Sequence, residues 1–161
     1  MKKLWSRISL AFILLLLCVS LVVGLFLSKM MKDTYIDLTR SHLLQNSQLF
    51  VQSIDSKDLQ ENPEHLQSMM QCYDAPNMPR MTIIHRDGQV LADSEHQPVQ
   101  MEDHSDRPEV RAVLLEGESQ GESIRWSETL GLDMMYVTIP FTLENENTPF
   151  AVVRSAVTLD S

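Results

Sequence analysis

From Ile8 to Ser28 the sequence carries no charged residue. Nothing else in the chain restricts its fold so strongly. About 21 residues of α-helix rise roughly 31 Å, which matches the hydrocarbon core of a bilayer. The run is too long for a secretory signal core, and Leu25-Phe26-Leu27-Ser28 offers no small-x-small cleavage pattern. Leu17, standing before Cys18, argues against lipoprotein processing. Lys2, Lys3 and Arg7 precede the run and place the N-terminus in the cytoplasm by the positive-inside rule, against the weaker opposing pair Lys29 and Lys32. The expected organisation is a cytoplasmic stretch over residues 1–7, a transmembrane helix over 8–28 and an extracytoplasmic domain over 29–161.

Charge divides at the same segment. The chain has a net charge of -9, and every Asp and Glu lies after the apolar run. Since Lys2, Lys3 and Arg7 all precede it, the residues that follow carry -12. So acidic a surface excludes a nucleic-acid partner. Of the two cysteines, Cys18 is inside the apolar run and Cys72 is alone beyond it. A disulfide within the outer part is therefore impossible, and Cys72 is expected to be a buried free thiol.

Asp33 to Ile54 reads as a helix. Ile36, Leu43 and Phe50 recur with Leu44, Val51 and Ile54 beside them, which makes a stripe on one side. No Gly or Pro separates it from the apolar run after Gly24, so the two form one continuous rod. The stripe is expected to pack on a sheet and, in part, to pair with a second copy of the chain. Asn62-Pro63-Glu64 is a helix start with a capping side chain, followed by Leu66, Met69 and Met70 on one face. Asp74 to Pro79 breaks that helix. Arg80 to Glu95 is a hairpin, with Met81 to His85 and Val90 to Ala92 as strands and Asp87-Gly88 as a two-residue turn. Its adjacent Ile83 and Ile84 point to opposite faces, so both sides of the sheet should be covered.

After a polar stretch, Asp106 caps a further helix and Glu109 closes a capping box. Val110, Val113 and Leu114 form its buried face and Gly117 ends it. Three strands follow, over Glu122 to Leu130, Asp133 to Phe141 and Phe150 to Leu159, with a Gly131-Leu132 turn and a polar Glu144 to Thr148 loop. Ile124 and Trp126 share one strand face, as do Met135, Val137 and Ile139. The fold class is α+β, a long helix packed on one five-stranded, mostly antiparallel sheet.

The ordered set Ile83-Ile84, Asp87-Gly88, Val90 to Ser94, Asp106 to Val110, Ser127 to Gly131, Asp133-Met134 and Tyr136 to Pro140 resembles a known family. It is similar to the extracytoplasmic sensor module of bacterial two-component sensor histidine kinases, in particular the phosphate-regulon type with a single Cache-like, or PAS-like, domain. The resemblance implies a homodimer in the cytoplasmic membrane that passes a signal to a kinase core and, through it, to a response regulator. Such kinases continue into a second membrane helix, a phospho-accepting helix and an ATP-binding domain. These residues hold no Gly-rich nucleotide loop and no second apolar span, and none of the five histidines has a phosphorylation context. The chain itself is thus expected to hold no catalytic site, and the family's kinase activity would belong to a longer form.

The resemblance also implies a small-molecule pocket between the sheet and the loops that cross it. Arg107, Arg125, Trp126 and Tyr136 are the residues expected there. An Arg would pair with a ligand carboxylate or phosphate, and the aromatics would wall the pocket. The competing role for Arg107 and Arg125 is an ion pair with Glu109 or Glu128. Asp93, Glu95, His96, Glu102, Asp103, His104 and Asp106 cluster in sequence, but their spacing matches no metal loop. They read as an acidic solvated loop, with no metal or cofactor assigned. A possible ion signal, and an anchored interaction domain that binds no ligand, are the other readings.

Overall fold

Alternation of apolar side chains on both faces of the hairpin dictates a sheet with a layer on each side, and that is the architecture found. The computed structural model describes residues 2–73, 78–127, 130–144 and 146–159. The chain forms two units, Met1–Thr39 and Arg40–Ser161. The first is helical throughout its described residues and belongs to helix α1 (Lys2–Ser53), which is unbroken at Gly24 as expected. Leu10, Phe12, Leu17, Leu21 and Phe26 are all exposed along it. Among the described residues α1 is the one helix long and apolar enough to cross a membrane.

The second unit opens with the last turns of α1. Leu43, Ser47, Phe50 and, just beyond the helix, Ile54 are buried at the i, i+4, i+7, i+11 spacing of one helix face. Two short helices follow, α2 (Ser56–Glu61) and α3 (Pro63–Gln71). Sequence reading missed α2. Asp55 caps it, its Oδ1 accepting from the Lys57 amide at 2.9 Å. At α3 the Pro sits in the first turn as expected, but the Asn62 side chain makes no capping bond. Cys72 is exposed at the end of α3 and is not the buried thiol expected, because the buried face of that helix is used by Leu66 and Met70. Most of the breaker stretch after α3, residues 74–77, lies outside the described residues.

The strands are β1 (Arg80–His85), β2 (Val90–Asp93), β3 (Gly121–Ser127), β4 (Leu132–Phe141) and β5 (Ala151–Leu159). Their order is β2-β1-β5-β4-β3 and every pair is antiparallel. Three residues, Arg86, Asp87 and Gly88, separate the bonded pair His85 and Gln89, where a two-residue turn was expected. Gly88 takes φ +94°, and a side chain there would collide with Asp103 and Ser105. Between Ile83 and Ile84 the register slips, which leaves Leu91 as the extra residue of a bulge. The outer edge of β2 is closed by Gln67, whose side-chain amide exchanges two hydrogen bonds with the Asp93 backbone at 2.9 and 3.0 Å.

One core lies on the α1 side of the sheet, where Ile83 joins Phe50, Ile54, Leu66, Met70, Ile139 and Val153. The other lies on the opposite side, where Ile84, Val90 and Val152 meet Val110 and Val113 of helix α4 (Pro108–Leu114). Each such side chain contributes roughly 1.5–3 kcal/mol by leaving water. The start of α4 differs from expectation. Arg107 is its N-cap residue and Pro108 occupies the first turn, so Asp106 does not cap it and Glu109 closes no capping box. Pro108 sets the frame, since its missing N–H is harmless only there.

Candidate functional site

Helix α4 has only seven residues and so covers about 10 Å of its sheet face. Beyond its reach the face changes character. Val152 on β5 is followed on the same side by Arg154, and β4 presents Tyr136 and Met134 on that side too, opposite Ala156 and Thr158. The chain between β2 and α4 folds over this uncovered half and borders a half-open cavity of about 490 Å³. Arg107, Arg125, Trp126 and Tyr136 all line it, joined by Arg80, His104 and Arg154, which sequence reading did not select.

Glu109 organises the floor. A Cβ at Gly121 would collide with the Glu109 carbonyl oxygen, so only glycine lets β3 approach the α4 backbone this closely. The fully buried Glu109 carboxylate is thereby brought to β3. Its Oε2 accepts from the Ser123 hydroxyl at 2.6 Å, and its Oε1 accepts from Arg125 Nη2 at 3.0 Å and lies 3.6 Å from Arg154 Nη1. The expected alternative partner of Arg125, Glu128, lies outside the described residues. Both guanidiniums also stand over the Tyr136 ring, Arg125 at 4.2 Å and Arg154 at 5.3 Å from its centroid.

The network continues across the sheet. Arg154 Nη2 donates to Thr82 Oγ1 at 3.4 Å, and the Thr82 hydroxyl donates to Asp93 Oδ2 at 2.7 Å. Asp93 is fully buried and is held by Arg80 at 3.1 Å. Its Oδ1 also accepts from the Glu95 and His96 amides, both at 3.0 Å, which ties down the start of the covering loop. Asp93 therefore does not belong to a solvated acidic loop, and neither does the buried His104. Among the described residues no three Asp, Glu, His or Cys side chains come together in a metal-holding group.

Arg80 is paired with Asp93 and, at 3.8 Å, with the half-exposed Glu95, while Arg125 and Arg154 share the single buried carboxylate of Glu109. Of these guanidiniums Arg154 is the most buried, at 4% exposed. Burial, opposed by Glu109 and reinforced by Arg80, pushes its guanidinium down to about 10. The Nε atoms of Arg125 and Arg154 are both buried without a hydrogen-bond partner among the described residues. A buried cation with unspent donors is costly unless an anion joins it.

The other expected residues are placed at the rim. Arg107 is half-buried, with its Nε 3.6 Å from Asp106. Trp126 is 63% exposed, and strand alternation directs its Cβ to the side opposite Ser123 and Arg125. The Tyr136 hydroxyl donates to Met134 Sδ at 3.3 Å. His104 overhangs the cavity. Its amide donates to the Gly88 carbonyl at 3.0 Å and its ring Nδ1 lies 2.8 Å from the Glu102 carbonyl. Burial first, then Arg154 and Arg107, hold its imidazole below the usual range. A larger groove of about 600 Å³ runs along the β2 edge, where Gln67, Gln71, Gln97, Pro98 and Val99 line it, but it contains no buried charge.

No family model and no curated protein matches the sequence. Three solved structures that match the chain come from histidine kinases. The extracellular domain of histidine kinase rpHK1S-Z16 matches with a TM-score of 0.41 and 18% identity, over 60% of this chain and 37% of that one. A sensory box sensor histidine kinase from Vibrio cholerae matches with a TM-score of 0.40 and 13% identity, over 66% of this chain and 100% of that one. The sensor domain of the V. cholerae histidine kinase DctB matches with a TM-score of 0.37 and 16% identity, over 84% of this chain and 50% of that one. The chain thus spans 37% of the first of these and half of the third. None of the three is named as a phosphate-regulon sensor.

Proposed function

We propose that this chain is the extracytoplasmic signal-sensing module of a membrane-bound two-component sensor histidine kinase. Residues 1–7 are cytoplasmic, 8–28 span the cytoplasmic membrane and 29–161 lie outside. The assignment to the phosphate-regulon type rests on the sequence motifs alone. The observation that carries the sensing role is that Arg125 and Arg154 share one buried carboxylate, Glu109, beside the α4-side cavity, each keeping an unused Nε donor. Its ligand is a small anion, a carboxylate or a phosphate, with Arg107 at the mouth and Tyr136 as a wall.

The output is a movement of α1 within a homodimer, relayed to a kinase core in a longer form and from there to a response regulator. Leu43 and Phe50 are consumed by the chain's own sheet, so pairing uses the outward side of α1, where Leu49 is exposed. A ligand drives such a movement only by binding two dimer states unequally.

Thermal unfolding of the full chain in lipid nanodiscs, against sulfate, phosphate, acetate and succinate, tests the ligand role. At least one anion should raise the Tm by mass action. Silence across all four would favour the second reading, a membrane-anchored interaction domain that contacts a transporter or envelope protein. Ile124, Trp126 and Leu132, exposed on β3 and β4 at one sheet edge, are the observation on that side.

A further inference from the structure

The cavity contains a titratable ring that electrostatic neutralisation of Arg154 would disturb directly. His104 is 8% exposed, and its position is fixed at two points, the backbone by the Gly88 carbonyl and the ring by the Glu102 carbonyl. A carbonyl can only accept, so Nδ1 keeps its proton and titration falls on Nε2. The charged and titratable groups that face the cavity with it are Arg154 from β5, Arg107 at the start of α4, Arg80 from β1, Arg125 from β3, Tyr136 from β4, and Glu95, His96 and Glu102 of the covering loop, with Asp103 next to it in sequence. The backbones of Glu102 and Asp103 favour a charged ring, but burial and Arg154 oppose it more strongly, and the Asp103 carboxylate is turned to the Ser105 amide at 2.6 Å.

Resting on the reading that the cavity takes a small anion, we propose that anion binding draws a solvent proton toward His104, so that the site responds to anion and acidity together. Without an anion, Arg154 and Arg107 oppose a positive charge on the ring, and burial opposes it further. An anion seated among the guanidiniums cancels that opposing field. A protonated Nε2 then becomes one more donor toward the anion. No bond other than N–H forms, and the proton comes from water. The coupling is reciprocal, so acidification tightens anion binding by the same factor by which the anion favours protonation.

The test uses the full chain in nanodiscs, with sulfate as the probe because it stays fully ionised throughout, and calorimetry in low-chloride buffers. Sulfate should bind roughly fivefold more tightly at about pH 5.5 than at about pH 8, approaching tenfold at lower pH, the limit set by a rise of one unit in the imidazole pKa. Near neutral pH, the heats measured in two buffers of different ionisation enthalpy should show uptake of a fraction of a proton per sulfate. In His104→Gln, checked for folding by circular dichroism, the affinities at the two pH values should agree to within about twofold. Equal wild-type affinities with no proton uptake would overturn this inference and leave the anion site standing. A pH dependence that survives in His104→Gln would overturn the assignment to this ring. No sulfate binding at either pH would overturn the anion site and this inference with it.

Discussion

Ile83 and Ile84 are consecutive in β1, both fully buried, and belong to different cores. Ile83 packs on the side of α1, the helix that carries the apolar run. Ile84 packs beneath α4, the helix that supplies Glu109 to the cavity floor. One strand thus joins the element proposed to receive the signal to the element proposed to transmit it. Truncating either side chain to Ala should cost about 2–5 kcal/mol, the range for emptied core sites. Chemical unfolding followed by circular dichroism measures the loss. Hydrogen exchange should separate the two variants, with Ile83→Ala loosening α2 and α3 and Ile84→Ala loosening α4.

Removing the shared counter-charge should be worse than removing one cation. Glu109→Gln leaves Arg125 and Arg154 facing each other without a carboxylate, a loss of about 3–5 kcal/mol for a broken buried pair. Arg125→Gln leaves the Glu109 carboxylate with Arg154 and the Ser123 hydroxyl, so it should cost only about 1–3 kcal/mol. Added sulfate should restore part of the stability of Glu109→Gln, because it supplies the missing anion.

Stability should depend on His104 with a definite sign. Its folded-state pKa lies below the unfolded value near 6.5, so the unfolded chain binds more protons in the window between them. Stability therefore increases with pH there, is complete above about 6.5, and is lost as pH falls through that window. Unfolding curves between about pH 5 and 8 should show this slope in the wild type and a shallower one in His104→Gln.

Gly88 should tolerate no side chain. Its φ of +94° is strained for any L residue, and a Cβ would meet Asp103 and Ser105. Gly88→Ala should cost about 1–3 kcal/mol and weaken anion binding too, since the same turn holds the His104 amide. Parallel unfolding and sulfate titrations check both effects.

The hairpin, the opposed isoleucines and the unbroken α1 were legible because period-2 and helical patterns act over a few residues. Arg107, Arg125, Trp126 and Tyr136 all border one cavity, although the Trp126 side chain leaves β3 on the other sheet face. The partners that give the cavity its charge were not legible. Glu109 reads as a capping-box acid three residues after Asp106, and only the close approach of β3 at Gly121 turns it into a buried counter-ion. Arg154 left a usable signal, one charge inside the apolar strand AVVRSAVTL. Such a residue must either face water or have a buried partner. Asp93 and His104 looked solvated because the fold of a covering loop depends on bonds to Gly88 and to the end of β2 that no local pattern encodes.

The claim that matters most is that the cavity is where the signal enters. In a form carrying a kinase core, autophosphorylation should be measured with and without the anion that stabilises the chain, for the wild type and for Arg125→Gln. The account predicts that the anion changes the wild-type rate and that folded Arg125→Gln requires at least about tenfold more anion for the same change, the equivalent of about 1.4 kcal/mol of binding. An Arg125→Gln protein that responds at the wild-type anion concentration would contradict it.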